Sequence, residues 1–385
     1  MEKRWKVASI GGIPIYITVP WLIFAAFVVY GTYESLARAR ALTDQQALWW
    51  SLVNASLFYG SIIFHELSHA VTARAFGLHV HGITLVFWGG YTETHSAERG
   101  PLASFLISAA GPFSTLALAG AFWLGAEASE GVLSAILGNL AFLSLLFAGL
   151  NALPGFPVDG GRMLLAVVWG ITKDRFVALS VAGWGGVVVG AALGLVGLQR
   201  LQAGNGDWIF FAFIGWMMIS QGLQVGKQAP VLRNLSTGTV SEAMGPAPPP
   251  IPVDATLLHA LETHLRADRS TGFPVVDGSE RVVGSLSFSD AAKLGAKDPT
   301  RGVGEAMTPP ERMRTVQPDL PLDRAIEWMA GGGQALVLDG DRLLGRLTSE
   351  DVDRWYRRRI VGETLEDEAA PVPPRPDLGG VGDWR

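Results

Sequence analysis

The chain has 385 residues, 49% hydrophobic and 17% charged, and long stretches before residue 226 carry almost no charge whereas the rest has the charge density of an ordinary soluble domain. A formal net charge of −5 gives no footing for a nucleic-acid partner. The lack of cysteine excludes a disulfide framework and leaves His, Asp and Glu to build any metal site.

Residues 1–6 are basic, and residues 14–33 form the first apolar span. The run is too long for a signal peptide, and the small-residue site after it (Ala37, Ala39, Ala41) is interrupted by Arg38 and Arg40, so the span is retained. A second span covers 47–72. Residues 82–93 then change character: β-branched and aromatic residues surround Gly89-Gly90, which predicts a short hairpin. Further spans follow at 102–125, 132–152, 176–199 and 207–225, each near the ~20 residues needed to cross a bilayer, while residues 160–171 are apolar but too short. Six spans place both termini on one side, with Lys3, Arg4, Lys6, Arg74, Arg99, Arg162, Lys173, Arg175, Lys227 and Arg233. That excess of positive charge makes the side cytoplasmic, for a multi-pass protein of the cell membrane whose environment is the lipid bilayer.

After Lys227 the sequence repeats. Val240 to Met244 recurs as Val303 to Met307, Phe273 to Asp277 is answered by Ala335 to Asp339, and Gly284 to Asp290 by Gly345 to Asp351. The repeat order predicts two copies of one small α+β unit packed together. The expected organisation is a membrane domain at 1–225, a linker at 226–237, copies at 238–292 and 301–358, and a disordered tail at 362–385.

Inside the second span sit His65, Glu66 and His69. On a helix, His65 and His69 share one face, one turn apart, and can bind a single zinc ion, while Glu66, about 100° around, can reach a water on that metal. Three ionisable groups in an apolar helix are costly unless they have a function. A catalytic zinc takes three protein ligands, and the candidates for the third are His79, His81, Glu93, His95 and Asp159. The first four lie in or beside the hairpin, where a polar residue on a strand face needs no special role. Asp159 follows Asn151 to Val158, where two prolines and a glycine break an apolar helix, and a carboxylate on unwound backbone at a membrane span is a binding feature. Its alternative role is to cap the short helix beginning near Gly160. His259 and His264, five apart, miss the metal spacing and read as surface positions.

HELSHA, the Gly89-Gly90 hairpin, Ala110-Gly111-Pro112 and N-x-x-P-x-x-P-x-D-G from Asn151 to Gly160 together resemble the site-2 protease family of intramembrane zinc metalloproteases, peptidase M50 type, over residues 1 to about 225. The repeat after it looks like tandem CBS domains. The fold expected is thus a polytopic α-helical membrane protein, six transmembrane helices with a short β-hairpin, plus a soluble α+β tandem CBS domain. The resemblance implies one Zn2+ per chain on His65, His69 and Asp159, Glu66 as catalytic base, and Asn151 holding the substrate carbonyl or oxyanion. Where many relatives have an Asn after the Gly-Pro pair, this chain has Phe113-Ser114-Thr115, and Val158 stands where Leu is usual.

The implied substrate is a membrane protein, such as an anti-sigma factor, another single-span regulator or a signal-peptide remnant. Its locally unwound segment is expected to add as a strand to the hairpin at Leu85, Phe87, Gly89 and Gly90. In each CBS copy a strand ends in Gly, followed by a hydroxyl and a carboxylate at three-residue intervals: Gly284, Ser287, Asp290, then Gly345, Thr348, Asp351. A hydroxyl and N–H groups at a helix start suit phosphate and the carboxylate suits ribose, so ATP, ADP or AMP is an expected ligand, and a homodimer through the CBS domains an expected assembly. The rival reading is a non-proteolytic zinc-binding scaffold or transporter gated by its CBS pair. Glu66 discriminates, because a pure zinc site has no use for a base beside the metal.

Overall fold

The structure is a computed structural model and describes residues 4–38, 42–86, 89–94, 100–266, 272–296, 298, 300–329 and 333–360. Two compact units meet in the chain between Pro230 and Val231.

The first unit begins with a hairpin where the first apolar run was expected to be helical throughout. Strand β1 (Arg4–Ile10) pairs antiparallel with β2 (Ile13–Thr18), and only then does helix α1 (Val19–Arg38) start. Gly11 and Gly12, with φ of 56° and 76°, make the two-residue turn, since both central positions of such a turn need positive φ. Ile13 and Ile15 alternate inward and are almost fully buried. Helix α2 (Asp44–Ala75) opens on a capping box: Thr43 Oγ1 accepts from Gln46 N–H, and Gln46 Oε1 accepts from Thr43 N–H.

Strand β3 (Val80–Val86) pairs antiparallel with β4 (Gly89–Thr94), as expected, but also parallel with β2. The expected hairpin is therefore half of a four-stranded sheet in the order β1-β2-β3-β4. Gly89 and Gly90 are the first residues of β4 rather than its turn, facing Val86 and Leu85. One sheet face, with Ile13, Ile15, Ile83 and Leu85, packs on Ala55, Tyr59 and Ile62 of α2.

The remaining helices are α3 (Pro101–Glu127), α4 (Gly131–Asn151), α5 (Asp159–Thr172), α6 (Arg175–Gln202) and α7 (Ile209–Leu235). Among the described residues six helices, all of these but α5 together with α1 and α2, are long and apolar enough to cross a membrane. Their outward residues are large and apolar, Phe27, Phe142 and Val188 being 67%, 62% and 69% exposed. Helices α6 and α7 approach closely along glycines seven residues apart. A Cβ on Gly183, Gly190 or Gly197 would come within 2.6, 2.7 and 2.6 Å of the α7 backbone at Gly226, Gly215 and Ala212. Residues 226–237, expected as a linker, are helical as far as Leu235.

The second unit holds α8 (Val240–Ala243), β5 (Ile251–Pro252), α9 (Leu257–Ala260), β6 (Gly272–Val276), β7 (Val282–Ser287) and α10 (Phe288–Gly295), then α11 (Val303–Ala306), β8 (Thr315–Val316), α12 (Leu322–Met329), β9 (Gln334–Asp339), β10 (Arg342–Thr348) and α13 (Ser349–Ile360). Its two three-stranded sheets share one pattern, a parallel pair followed by an antiparallel pair, as the sequence repeat requires. The copies exchange their first helices. Val240 and Ala243 lie in the core with Leu322, Val337 and Leu347 of the second copy, and Val303 lies with Ile251, Phe273 and Leu286 of the first. The boundaries 238–292 and 301–358 thus divide the sequence but not the cores. His264 is not a surface residue: it is half-buried, with its ring stacked on Phe273 at 6.4 Å. The tail at 362–385 lies outside the described residues.

Candidate active site

Helix α2 delivers His65, Glu66 and His69, all buried, to the interior of the first unit. Asp159 arrives from the first position of α5, whose start is folded tightly against the preceding turn: a Cβ on Gly160 would come within 2.5 Å of Ala152 C, and one on Gly161 within 2.5 Å of Phe156 N. Asp159 does not cap α5, since the N-cap residue is Val158 and carries no side-chain bond. Instead Asp159 Oδ2 lies 3.2 Å from His65 Nε2 and 3.2 Å from His69 Nε2, and the two Nε2 atoms are 3.2 Å apart.

The other ring nitrogens decide what this triangle is for. His69 Nδ1 is 2.7 Å from the Ile107 carbonyl, which only accepts, so Nδ1 carries the proton. His65 Nδ1 is 2.8 Å from Thr115 Oγ1, whose own proton goes to the Gly111 carbonyl at 3.0 Å, so this Nδ1 also donates. In the neutral rings both Nε2 atoms thus present lone pairs to each other and to a carboxylate oxygen, an arrangement suited to a cation at its centre. Tetrahedral zinc with bonds of about 2.0–2.1 Å separates its ligand atoms by about 3.3 Å, so the donor set fits. These three are the metal-type group found among the described residues.

Gly111 of α3 is what lets the imidazoles sit there. A Cβ on it would lie 2.6 Å from His69 Cε1 and 2.7 Å from His65 Cε1, and closer still to His69 Nε2. The Phe147 ring of α4 covers His65 edge-on at 5.0 Å. Glu66 is held from the other side, by the sheet. Thr92 Oγ1 of β4 donates to Glu66 Oε2 at 3.0 Å, and a Cβ on Gly90 would come within 2.8 Å of Glu66 Cγ.

Other expected positions divide. Asn151 ends α4 and donates from Nδ2 to the Phe147 carbonyl at 3.1 Å. Leu85, expected on a substrate-binding edge, is 1% exposed on an interior strand, and Thr18 Oγ1 takes its carbonyl at 3.1 Å. Phe87 lies outside the described residues. Among the described residues, the outer strand of this sheet next to Glu66 is β4. In the second unit Ser287 accepts from Asp290 N–H at 3.1 Å and donates to Asp290 Oδ2 at 2.7 Å, starting α10, and Asp290 is exposed. Asp351 is instead buried and engaged: it accepts from Thr348 N–H and Oγ1 at 3.0 and 2.6 Å, and from Arg354 at 3.2 Å. Sequence reasoning missed Thr115, Thr92 and the Ile107 carbonyl. The departure at Phe113-Ser114-Thr115 was the one signal near the first of them.

Comparison with known proteins bears on the family. The model of peptidase family M50 matches residues 54–131, and that of the CBS domain matches residues 240–297. The protein named zinc metalloprotease Rip3 in Mycobacterium tuberculosis is 30% identical over 312 residues, covering 78% of this chain and 79% of that protein. Zinc metalloprotease MJ0392 of Methanocaldococcus jannaschii is 23% identical over 380 residues, 95% of this chain and 100% of that one. The solved site-2 protease of the same organism aligns with a TM-score of 0.43 at 21% identity, over 58% of this chain and 95% of that chain. Identity at the level of the mycobacterial relative, sustained over four-fifths of both chains, removes the scaffold and transporter alternatives: the chain belongs to peptidase family M50, the site-2 proteases, as a multi-pass zinc metalloendopeptidase with a CBS domain.

Proposed function

We infer that the chain cleaves transmembrane segments of membrane proteins, with one zinc ion held by His65, His69 and Asp159. The observation that carries this reading is the triangle of three acceptors 3.2 Å apart, beside a carboxylate anchored on a strand edge. Zinc, when bound, supplies Lewis-acid polarisation of a carbonyl and lowers the pKa of water toward neutrality. Glu66 takes the proton of the attacking water and delivers it to the leaving amine. Thr92 keeps that carboxylate turned into the site, and Thr115 and Ile107 keep both imidazoles in the tautomer that leaves Nε2 unprotonated. Asn151, once released from the Phe147 carbonyl, holds the substrate carbonyl oxygen.

A scissile bond inside an intact helix is shielded by its own hydrogen bonds, so the substrate unwinds and pairs along β4. Residues Gly89 to Thr92 offer that edge, in place of Leu85. Single-span regulators, anti-sigma factors and signal-peptide remnants suit such a site. The positive residues near residues 1–6 and 227–233 put both termini and the CBS unit in the cytoplasm. The reading is tested with Asp159→Ala in detergent against a single-span model substrate. Zinc content and cleavage should fall together, and affinity for zinc by more than the roughly 10- to 100-fold that loss of a supporting contact costs. Full zinc occupancy in that variant overturns the ligand set.

The CBS pair takes an adenine nucleotide, regulates the membrane site and serves as a dimer contact. Its two half-sites are unequal, because Asp290 is exposed whereas Asp351 is consumed by its own helix start. Calorimetry on the full chain with AMP, ADP and ATP should lose its heat in Asp290→Ala. Asp351→Ala should instead lower stability by about 1 kcal/mol, the worth of a helix cap. Heats indistinguishable from buffer for all three nucleotides in the unsubstituted chain would leave dimerisation as the role of the pair.

A further inference from the structure

Two more histidines stand ten and twelve residues beyond His69, and nothing in the proteolytic chemistry uses them. His79 lies in the link after α2, and His81 is the second residue of β3. A spacing of two on an extended chain puts both on one side, and the burial pattern agrees: both are exposed, while Val80 between them is 3% exposed. Neither ring fills a core.

The two rings of this pair are in edge-on contact, as are those of His65 and His69. The His79 and His81 rings are 4.7 Å apart at 79°, and the His65 and His69 rings are 4.8 Å apart at 84°. The backbone beneath is fixed at both ends. Gly77, at φ 73°, closes α2, Leu78 N–H donates to the Ala73 carbonyl at 3.0 Å, and Leu78 is 5% exposed. The ladder with β4 carries a bulge between Val80 and Gly82, and a bulge re-aims the side chain it contains, here His81.

We propose that His79 and His81 form a second, solvent-exposed site for a divalent transition-metal ion. Paired imidazoles select zinc, nickel or copper over calcium and magnesium, which take oxygen donors. With two protein ligands and water in the remaining positions, the outer site binds more weakly and exchanges faster than the buried one, which has three ligands. It fills only when free metal is abundant. An ion there ties the end of α2 to the first residues of β3, the strand that supports the β4 edge.

The test is equilibrium dialysis of the full chain in detergent against rising Zn2+, with metal per chain read by mass spectrometry. The expected curve has a tight step to about one ion and a weaker step, by tenfold or more, to about two. His79→Gln/His81→Gln should keep the tight step and lose the weak one, while His65→Gln/His69→Gln should do the reverse, which separates failure of this site from failure of the buried one. Both exposed substitutions leave the core intact, and the retained tight step reports folding. Saturation of the unsubstituted chain at one ion, or a weak step unchanged in His79→Gln/His81→Gln, overturns the proposal.

Discussion

Glu66→Gln keeps its zinc and loses cleavage by roughly 10²- to 10⁴-fold, the contribution of a positioned general base. The substitution is close to isosteric, and Gln still offers Thr92 an acceptor in place of Glu66 Oε2, so the contact that holds the side chain against β4 survives. The stem also survives, which matters because Gly90 leaves it no slack. His65, His69 and Asp159 are untouched, so metal content stays at the level of the unsubstituted chain. Only the ability to take up a proton is gone. The measurement is turnover of a single-span substrate in detergent beside zinc per chain on the same preparation. Cleavage at a near-native rate with zinc present would sink the assignment of the base.

A single added methyl group produces the other large effect. Gly111→Ala would place Cβ 2.6 Å from His69 Cε1 and 2.7 Å from His65 Cε1, and neither ring has anywhere to go. His69 is tethered to the Ile107 carbonyl and His65 to Thr115, both on the helix that carries the intruding methyl. Relief therefore requires breaking one of the tethers or parting α3 from α2. Zinc should drop to background and cleavage with it. Helix propensity moves the opposite way, since Ala is favoured over Gly in a helix interior by roughly 0.5–1 kcal/mol. Retained thermal stability beside lost metal would show that the glycine serves the site and not the fold. Full zinc occupancy in Gly111→Ala would mean that the helices separate at little cost.

The residues proposed for the chemistry were legible because that chemistry would fix their spacing. His65, Glu66 and His69 form a pattern that a helix turns into geometry, and Asp159 stood out as a carboxylate where prolines break an apolar helix. The residues that hold them were less so, each for its own reason. The Ile107 contact is made by a carbonyl that any residue would supply, and Thr115 matters only through the rotational phase of α3 against α2. Gly90 and Gly111 are visible as glycines, but what presses on them is set by tertiary packing.

Elsewhere, the apolar run at residues 14–33 hid the change from β2 to α1 because strand and helix there bury equally apolar residues. Gly11-Gly12 marked the hairpin turn, and Pro20, in the first turn of α1, was the one mark near the change itself. Leu85 was misplaced because pairing of β3 with β2 joins segments more than sixty residues apart. The sequence repeat was plain, yet self-similarity cannot say which copy a first helix packs into, and each chose the other.

Helix α6 acts as a shim of fixed thickness, and that sets what a saturation-mutagenesis map of it would look like. On one side Gly183, Gly190 and Gly197 meet α7, and on another Gly185 and Gly186 lie where a Cβ would come within 2.7 Å of Pro154 O and 3.0 Å of Phe156 N, in the turn that leads to Asp159. Intolerant columns would recur every seven residues along the first side, with a doublet at 185–186 breaking the rhythm. Val188, Leu195 and Leu198, all outward-facing, would accept one apolar residue for another. The doublet would also differ in kind. Substitution at the seven-residue columns costs folded protein, whereas substitution at 185–186 displaces the turn ahead of Asp159, so its victims would accumulate to normal levels and yet be short of metal.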